Sequence, residues 1–209
     1  MFLLRLILCA LLGYLFGNVQ TGLIIGRLTR NIDLREHGSG SSGATNALRV
    51  LGRQQALVTL LGDALKGVLA VCAGLIIGGQ RGGMIAAIFV TIGHIWPVFF
   101  GFHGGKGIST TVGSLLVLMP VHSAIFLIIG SAVIYLTKMV SVGSISGALT
   151  LLILTAITSV TGNDWFVLVF GVIISGLVIF AHRGNIARIL KGTENKISAS
   201  MFRDKEKKR

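Results

Sequence analysis

Long apolar runs separated by short polar segments repeat along almost the whole chain. The runs predict helices over residues 3–25, 54–77, 84–100, 108–137, 142–160 and 165–181. Most of these runs are close to the roughly 20 residues that an α-helix needs to cross a bilayer. The run 108–137 is too long for one span and short for two, and Pro120 near its middle favours a break there.

This pattern predicts an all-α, polytopic integral membrane helix bundle. We expect one domain over residues 1–209, with a basic tail from about residue 182. Seven transmembrane helices result if the run 108–137 divides near Pro120. Five spans with re-entrant or interfacial pieces are the alternative.

The composition agrees with a membrane protein. The 209 residues are 53% hydrophobic and 12% charged, and the charged fraction is about half that of a soluble domain. A net charge of +12 would suggest nucleic acid in a soluble protein, but here a positive-inside bias explains it, and we expect no nucleic-acid partner. Cys9 and Cys72 both lie in apolar runs, so neither a disulfide nor a metal site is expected.

The distribution of basic residues predicts the orientation in the membrane. Of the 19 lysines and arginines, Lys66 lies within a span, and Arg5 and Arg81 fall on one side. The remaining sixteen lie in loops and a tail that seven spans would bring to the other side. The positive-inside rule then places the amino terminus outside and the carboxyl terminus in the cytoplasm, which requires an odd number of spans.

Three polar segments are expected to meet on the cytoplasmic face. The first, 35–52, is rich in glycine and hydroxyl side chains, which suit an oxyanion or phosphate site, although a flexible loop is the alternative. The second, 104–107, places a lysine after two glycines at the start of a helix, without Walker spacing; a re-entrant turn is the alternative. The third carries His182 and Asn185, which suit substrate binding or proton acceptance. The alternative is that both are interfacial residues without a functional role.

Three further polar residues lie within apolar runs. Asp63 and Lys66 are three residues apart on one helical face, which favours a mutual ion pair over a catalytic role. We expect His94 to be a packing histidine that orients the loop after it. The chain has no metal-ligand cluster, no Cys/His nucleophile pair and no acidic dyad, so no metal and no cofactor are expected.

Residues 38–52, 93–107 and 182–194, together with 63–67, resemble the bacterial acyl-phosphate-dependent glycerol-3-phosphate acyltransferases. One difference is Ser41, where the family pattern usually has asparagine. The resemblance implies an enzyme of the bacterial cytoplasmic membrane in the first acylation step of phospholipid biosynthesis. It would transfer a fatty acyl group from acyl phosphate, not from acyl-CoA or acyl-carrier protein, to the primary hydroxyl of glycerol 3-phosphate and release lysophosphatidic acid. We expect a monomer surrounded by membrane lipid.

The resemblance also implies roles for individual residues. The catalytic candidates are Ser39, Arg49, His182 and Asn185. The candidates for binding substrate or phosphate are Gly38, Gly40, Asn46, Lys66, Gly104, Gly105, Lys106 and Gly107. Supporting roles are expected for Asp63, His94 and Glu194. The proton acceptor is either His182 or a phosphate oxygen of a substrate.

The same basic, glycine-rich loops would also suit a transporter or channel for small anions. Such a protein is expected to show broken helices at matching positions of two halves, and the sequence has no internal repeat.

Overall fold

The computed structural model describes residues 1–197, and that part of the chain is all-helical, as predicted. The α-helices are α1 (Phe2–Gly17), α2 (Thr21–Arg30), α3 (Ala44–Val50), α4 (Arg53–Ile95), α5 (Ile108–Leu118), α6 (Pro120–Thr137), α7 (Val140–Gly162), α8 (Trp165–Ala181) and α9 (Arg183–Leu190). Two short 3-10 helices are Leu34–Glu36 and Val98–Phe100. The predicted break near Pro120 and the predicted bounds of the last long helix are confirmed.

The first apolar run forms two helices, so the prediction of one continuous helix over 3–25 is wrong. α1 ends at Gly17, α2 begins at Thr21, and the residues between them carry buried polar side chains. Gln20 Nε2 donates to the Gly17 carbonyl at 3.1 Å, and Lys66 Nζ of α4 donates to the same oxygen at 3.2 Å. Side chains therefore satisfy backbone groups that the break exposes, as they must where no water is available.

α4 folds back on itself at Gly79, whose φ of 63° and ψ of −157° are not helical. A Cβ built on Gly74 would lie 2.6 Å from the Gly82 carbonyl oxygen, so these two residues touch. Residues eight apart in a straight helix are separated by about 12 Å. The two arms of α4, residues 53–78 and 80–95, are therefore antiparallel. The turn predicted between the second and third apolar runs consists of the kink at Gly79.

Four helical segments within residues 1–197 are long and apolar enough to cross a bilayer, or five if α8 and α9, which meet at 59°, form one bent span. That number counts α4 as one segment, although its two arms are antiparallel. The 11 residues of α5 extend about 16 Å, against about 30 Å of hydrocarbon. The seven-span arrangement and the orientation of the termini stay predictions.

Glycines allow α1 to pack closely on the second arm of α4. A Cβ on Gly13 would lie 2.6 Å from the Ala86 carbonyl oxygen. One on Gly17 would lie 2.4 Å from the Val90 carbonyl oxygen and 2.8 Å from Gly93 Cα. Such close contact between small residues is a common packing mode of helices in membranes.

α5 is held in the same way against the first arm of α4. A Cβ on Gly67 would lie 2.3 Å from the Thr110 carbonyl oxygen, and one on Gly113 would lie 2.0 Å from the Ala64 carbonyl oxygen. An apolar core then joins α4, α5, α7 and α8; its largest buried members include Val71, Met84, Leu115, Leu151, Phe170 and Ile174. This packing fixes the amino-terminal end of α5, where the Lys106 loop enters.

Candidate active site

One cavity of about 250 Å³ lies where the three polar segments meet. The predicted residues that line it are Ser39, Asn46, Arg49, Asp63, His94, Lys106, Gly107, His182, Asn185 and Glu194. Its remaining wall comes largely from α6 and α7 and includes Phe126, Leu127, Ile134 and Val140. Cationic and amide side chains therefore share a cavity with an apolar wall.

Asn46 holds the loop that precedes α3. Its Oδ1 accepts a hydrogen bond from the backbone N–H of Ser39 at 2.8 Å. Its Nδ2 lies 2.9 Å from each of three carbonyl oxygens, those of Leu34, His37 and Ser41. The side chain is only 1% exposed. Its polar atoms are used inside the loop, so Asn46 shapes the segment that carries Ser39.

The glycines of this loop allow its backbone to turn tightly. Gly38 and Gly40 have φ of 63° and 70°, in the left-handed region that favours glycine. A Cβ on Gly38 would also lie 2.2 Å from Asn46 Oδ1. Neither glycine lines the cavity, so their contribution is to place Ser39 at its edge.

Arg49 lies in the last turn of α3 and lines the cavity. Burial lowers the pKa of its guanidinium, partly opposed by the carboxylate of Glu194. Arg35, a second cation of the same segment, has a different task. It pairs with Asp33 at 2.7 Å and donates to the Phe100 carbonyl at 2.6 Å, which ties the first polar loop to the loop that leads to Lys106.

Lys106 is the start of a hydrogen-bonded chain of side chains. Its Nζ donates to Asn185 Oδ1 at 2.5 Å, and Asn185 Nδ2 donates to Glu194 Oε1 at 2.7 Å. Ser141 of α7 donates to the same carboxylate oxygen at 2.8 Å, and Arg188 of α9 donates to Oε2, also at 2.8 Å. Glu194 therefore fixes the amide of Asn185 so that its oxygen faces Lys106.

The surroundings of this hydrogen-bonded chain shift the pKa values of Lys106 and Glu194. Burial lowers the pKa of Lys106 to about 8, with further lowering from Arg188 and Arg49 and opposition from Glu194. Burial raises the pKa of Glu194, but hydrogen bonds from Asn185, Ser141 and Arg188 outweigh it and hold that pKa below its ordinary value. Lys106 is thus a cation that loses its charge unusually easily, held near an anion that stays charged.

His182 lies between α8 and α9, and it is 2% exposed. Its Nδ1 is 2.8 Å from the Val178 carbonyl oxygen. A carbonyl only accepts, so Nδ1 carries the proton and Nε2 of the neutral ring is an acceptor. Asn185 lies on α9, about one helical turn after His182. The two side chains that the third segment contributes therefore reach the same cavity.

Gly104 and Gly105 have a packing role that the sequence did not reveal. Their N–H groups donate to the carbonyls of Ile95 and His94, each at 3.1 Å, at the end of α4. A Cβ on Gly105 would lie 2.2 Å from His94 Nε2. These N–H groups, suggested for phosphate by the sequence, are used within the fold. Gly107, with φ of 80°, precedes α5 and does line the cavity.

Lys66 is buried beside the cavity without lining it. Its Nζ lies 3.0 Å from Asp63 Oδ1 and 2.8 Å from His94 Nδ1. The predicted ion pair of Asp63 and Lys66 is confirmed. Because an ammonium group only donates, His94 Nδ1 accepts and its Nε2 carries the proton. Lys66 thus supports the α1–α2 break and the His94 ring, and its contact with phosphate stays a prediction.

Sequence reasoning missed Gln20 and Ser141, two buried polar residues near this site. The available signal was a polar side chain inside or next to an apolar run. Within residues 1–197, no group of three or more histidines, cysteines, aspartates or glutamates is arranged to hold a metal ion.

The fold and the cavity together define a helical membrane protein with a cationic site beside an apolar wall. A family model described as glycerol-3-phosphate acyltransferase matches residues 7–192. The chain therefore belongs to the glycerol-3-phosphate acyltransferase family, and it is an enzyme of that class.

Named relatives extend over nearly the whole chain. The glycerol-3-phosphate acyltransferase of Thermoanaerobacter sp. (strain X514) is 48% identical over 191 residues, covering 91% of this chain and 95% of the relative. That of Bacillus subtilis (strain 168) is 38% identical over 190 residues, covering 91% and 96%. These bacterial relatives and the apolar helices agree with an integral protein of a bacterial membrane.

Two crystal structures of PlsY, an integral membrane glycerol 3-phosphate acyltransferase, share the fold. The glycerol 3-phosphate form superimposes with a TM-score of 0.85 at 29% identity, covering 93% of this chain and 96% of PlsY. The lysophosphatidic acid form gives 0.83 at 28% identity, covering 94% and 97%. The family resemblance found in the sequence is thereby confirmed.

Proposed function

We propose that this enzyme transfers a fatty acyl group from acyl phosphate to the primary hydroxyl of sn-glycerol 3-phosphate, forming lysophosphatidic acid and inorganic phosphate. The observation that carries the proposal is a single cavity with cations and apolar side chains on different walls. Arg49 and Lys106 suit the two phosphates, whereas Phe126 and Leu127 suit an acyl chain. The glycerol 3-phosphate and lysophosphatidic acid forms of PlsY support this choice of acceptor and product.

The donor's chemistry explains why no covalent enzyme intermediate is needed. Acyl phosphate is a mixed anhydride whose leaving group is already stable as an anion. The acceptor hydroxyl attacks the acyl carbon, a new C–O ester bond forms, and the bond between that carbon and the phosphate oxygen breaks. The enzyme must mainly hold the two anions close together and stabilise the tetrahedral oxyanion.

The residues divide between the two substrates by their position. Arg49 and Ser39 both belong to the first polar segment, residues 35–52, and would hold the phosphate of the donor. Lys106, His182 and Asn185 come from the second and third polar segments, and Lys106 donates to Asn185; these three would hold glycerol 3-phosphate. The hydroxyl proton passes either to His182 or to a substrate phosphate oxygen, and both acceptors remain in the proposal.

The acyl chain would leave the cavity toward the lipid. Leu60 of α4 and Leu127 of α6 both line the cavity, and they are 44% and 43% exposed. On a membrane-spanning surface such exposed leucines face hydrocarbon. The donor and the lysophosphatidic acid product would therefore keep their chains in the bilayer while their head groups occupy the polar end.

Product analysis with purified enzyme tests the proposed reaction. Palmitoyl phosphate and radiolabelled glycerol 3-phosphate are expected to give labelled lysophosphatidic acid and one equivalent of phosphate. Palmitoyl-CoA in place of the acyl phosphate is the matched control and is expected to give none. Product from palmitoyl-CoA alone, or no product from the acyl phosphate, would contradict the proposed donor.

The pKa of Lys106 predicts the alkaline limb of the activity profile. Because that pKa is about 8, the ammonium that would bind glycerol 3-phosphate is present below pH 8 and is lost as the pH rises through that value. We expect kcat/KM for glycerol 3-phosphate to fall above about pH 8, since this parameter reports the free enzyme. Lys106→Arg keeps its charge, so its profile should stay flat to higher pH. A wild-type profile that is also flat would contradict the assignment.

We further propose that the site faces the cytoplasm, with the amino terminus outside. The charge asymmetry supports this orientation, although part of it lies in the tail beyond residue 197, outside the described residues. Single cysteines at Arg5 and Lys196, in a chain without Cys9 and Cys72, should react differently with an impermeant maleimide in intact cells. Only the Arg5 position should be labelled before lysis. Equal labelling of both from outside would contradict an odd number of spans.

A further inference from the structure

We propose that Gln20 and Ser42 are a positioning pair that fixes the first polar segment, which carries Ser39 and Arg49, relative to the loop carrying Lys106. The inference rests on the proposed function, because it assigns the pair a task in bringing the two phosphates together. Both residues lie outside the cavity lining. They act through the groups they hold, without touching the substrates.

Gln20 uses its whole amide group as a bridge. Its Oε1 accepts a hydrogen bond from Ser42 Oγ at 2.8 Å. Its Nε2 donates to the carbonyls of Gly17 and His94, each at 3.1 Å. The side chain is 0% exposed, so these bonds have no competition from water and fix the amide in one orientation.

The bridge reaches the Lys106 loop through one carbonyl oxygen. The His94 carbonyl accepts from Gln20 Nε2 and also from the N–H of Gly105, each at 3.1 Å. A carbonyl oxygen has two lone pairs, so it accommodates both donors. Ser42 is thus connected through Gln20 and His94 to Gly105, the residue directly before Lys106.

On the other side, the bridge holds a preformed loop. Asn46 organises the segment around Ser39 from within, through bonds that do not involve Gln20. Ser42 attaches this unit to the rest of the bundle, and its carbonyl oxygen would lie 1.9 Å from a Cβ placed on Gly22 of α2. Loss of the Ser42 hydroxyl should therefore leave the loop folded but less firmly placed.

Such a loss has a recognisable kinetic signature. Each loop keeps its own ligand contacts, so the affinity for each substrate alone should change little. The reacting atoms are misplaced relative to one another, and a displacement of about 1 Å is enough to cost about 100-fold in rate. A positioning role therefore lowers kcat at nearly constant KM, whereas damage to one binding loop raises the KM of one substrate.

The test compares Ser42→Ala with Ser175→Ala. Ser175 is also buried, and its Oγ donates to the Ala148 carbonyl at 2.8 Å, away from the cavity. Both variants should show similar small losses in Tm. We expect Ser42→Ala to lower kcat about tenfold or more with both KM values within about threefold of wild type, as misplacement predicts. Ser175→Ala should keep kcat within about twofold, because the Ser175 hydroxyl joins α8 to α7 and holds neither of the two loops.

Gln20→Leu is the second variant and should reproduce the kcat loss of Ser42→Ala if it folds; if it does not, Ser42→Ala alone decides. A wild-type kcat in folded Ser42→Ala would overturn the proposal. So would a raised KM for one substrate with unchanged kcat, or an equal kcat loss in Ser175→Ala. Absence of any product from the wild-type enzyme would instead refute the proposed function, so the two failures are separable.

Discussion

Replacing Arg49 with alanine is expected to lower kcat/KM for acyl phosphate by about 100-fold or more. The guanidinium lines the cavity from the end of α3. It is proposed to hold the donor phosphate through two parallel N–H···O hydrogen bonds. Charge-assisted hydrogen bonds contribute about 1.5–3 kcal/mol each, and two of them correspond to at least two powers of ten. Steady-state kinetics measure the loss, and thermal unfolding of the same preparation shows whether the variant stays folded.

Two further substitutions make this prediction specific. Arg49→Lys keeps the charge but loses the planar fork, so it should recover only part of the activity. Arg53→Ala removes an exposed arginine at the start of α4 that does not line the cavity, and its kcat/KM should stay near wild type. Near-normal turnover by Arg49→Ala would remove this arginine from the phosphate site.

The convergence of Arg49, Lys106 and His182 was predictable from the sequence. Each lies in a polar segment between apolar runs, and the distribution of basic residues assigns all three segments to one face of the bundle. The structure brings all three side chains to one cavity. Parity of spans and the family motifs both point to that arrangement, although the membrane orientation itself stays a prediction.

The break between α1 and α2 was not predicted, because averaged hydropathy ignores single polar residues. Asn18 and Gln20 are only two positions in an apolar run. Their effect depends on partners that are distant in sequence, such as the His94 carbonyl, 74 residues away from Gln20. No local pattern contains that pairing, and the local signal is only that a buried amide must find partners.

The glycines before Lys106 show a different limit. A glycine that offers its N–H to a ligand and a glycine that allows close packing look the same in a sequence, because both positions need the missing Cβ. Gly105 is of the second kind, since its N–H is bonded to the His94 carbonyl and the His94 ring fills the space of a side chain. The sequence pattern pointed to this loop but could not show that these two N–H groups bond within the fold.

Replacing Lys106 with methionine is expected to raise KM for glycerol 3-phosphate by about tenfold or more. Methionine keeps much of the apolar stem and removes the charge that Asn185 and Glu194 hold in place. Loss of one charge-assisted bond of about 1.5–3 kcal/mol corresponds to at least a tenfold change in affinity. If the bond is equally strong in the ground and transition states, kcat changes little, and KM for acyl phosphate should move less.

Gly105→Ala should raise the same KM by a different route. The new methyl group would meet the His94 ring at 2.2 Å and displace the backbone that carries Lys106. Gly176→Ala is its matched control, because a Cβ there meets nothing within 4 Å and alanine favours a helix. The control should keep both KM values. If Lys106→Met instead weakens only the acyl-phosphate step, Lys106 belongs to the donor and the proposed division of the two phosphates is wrong.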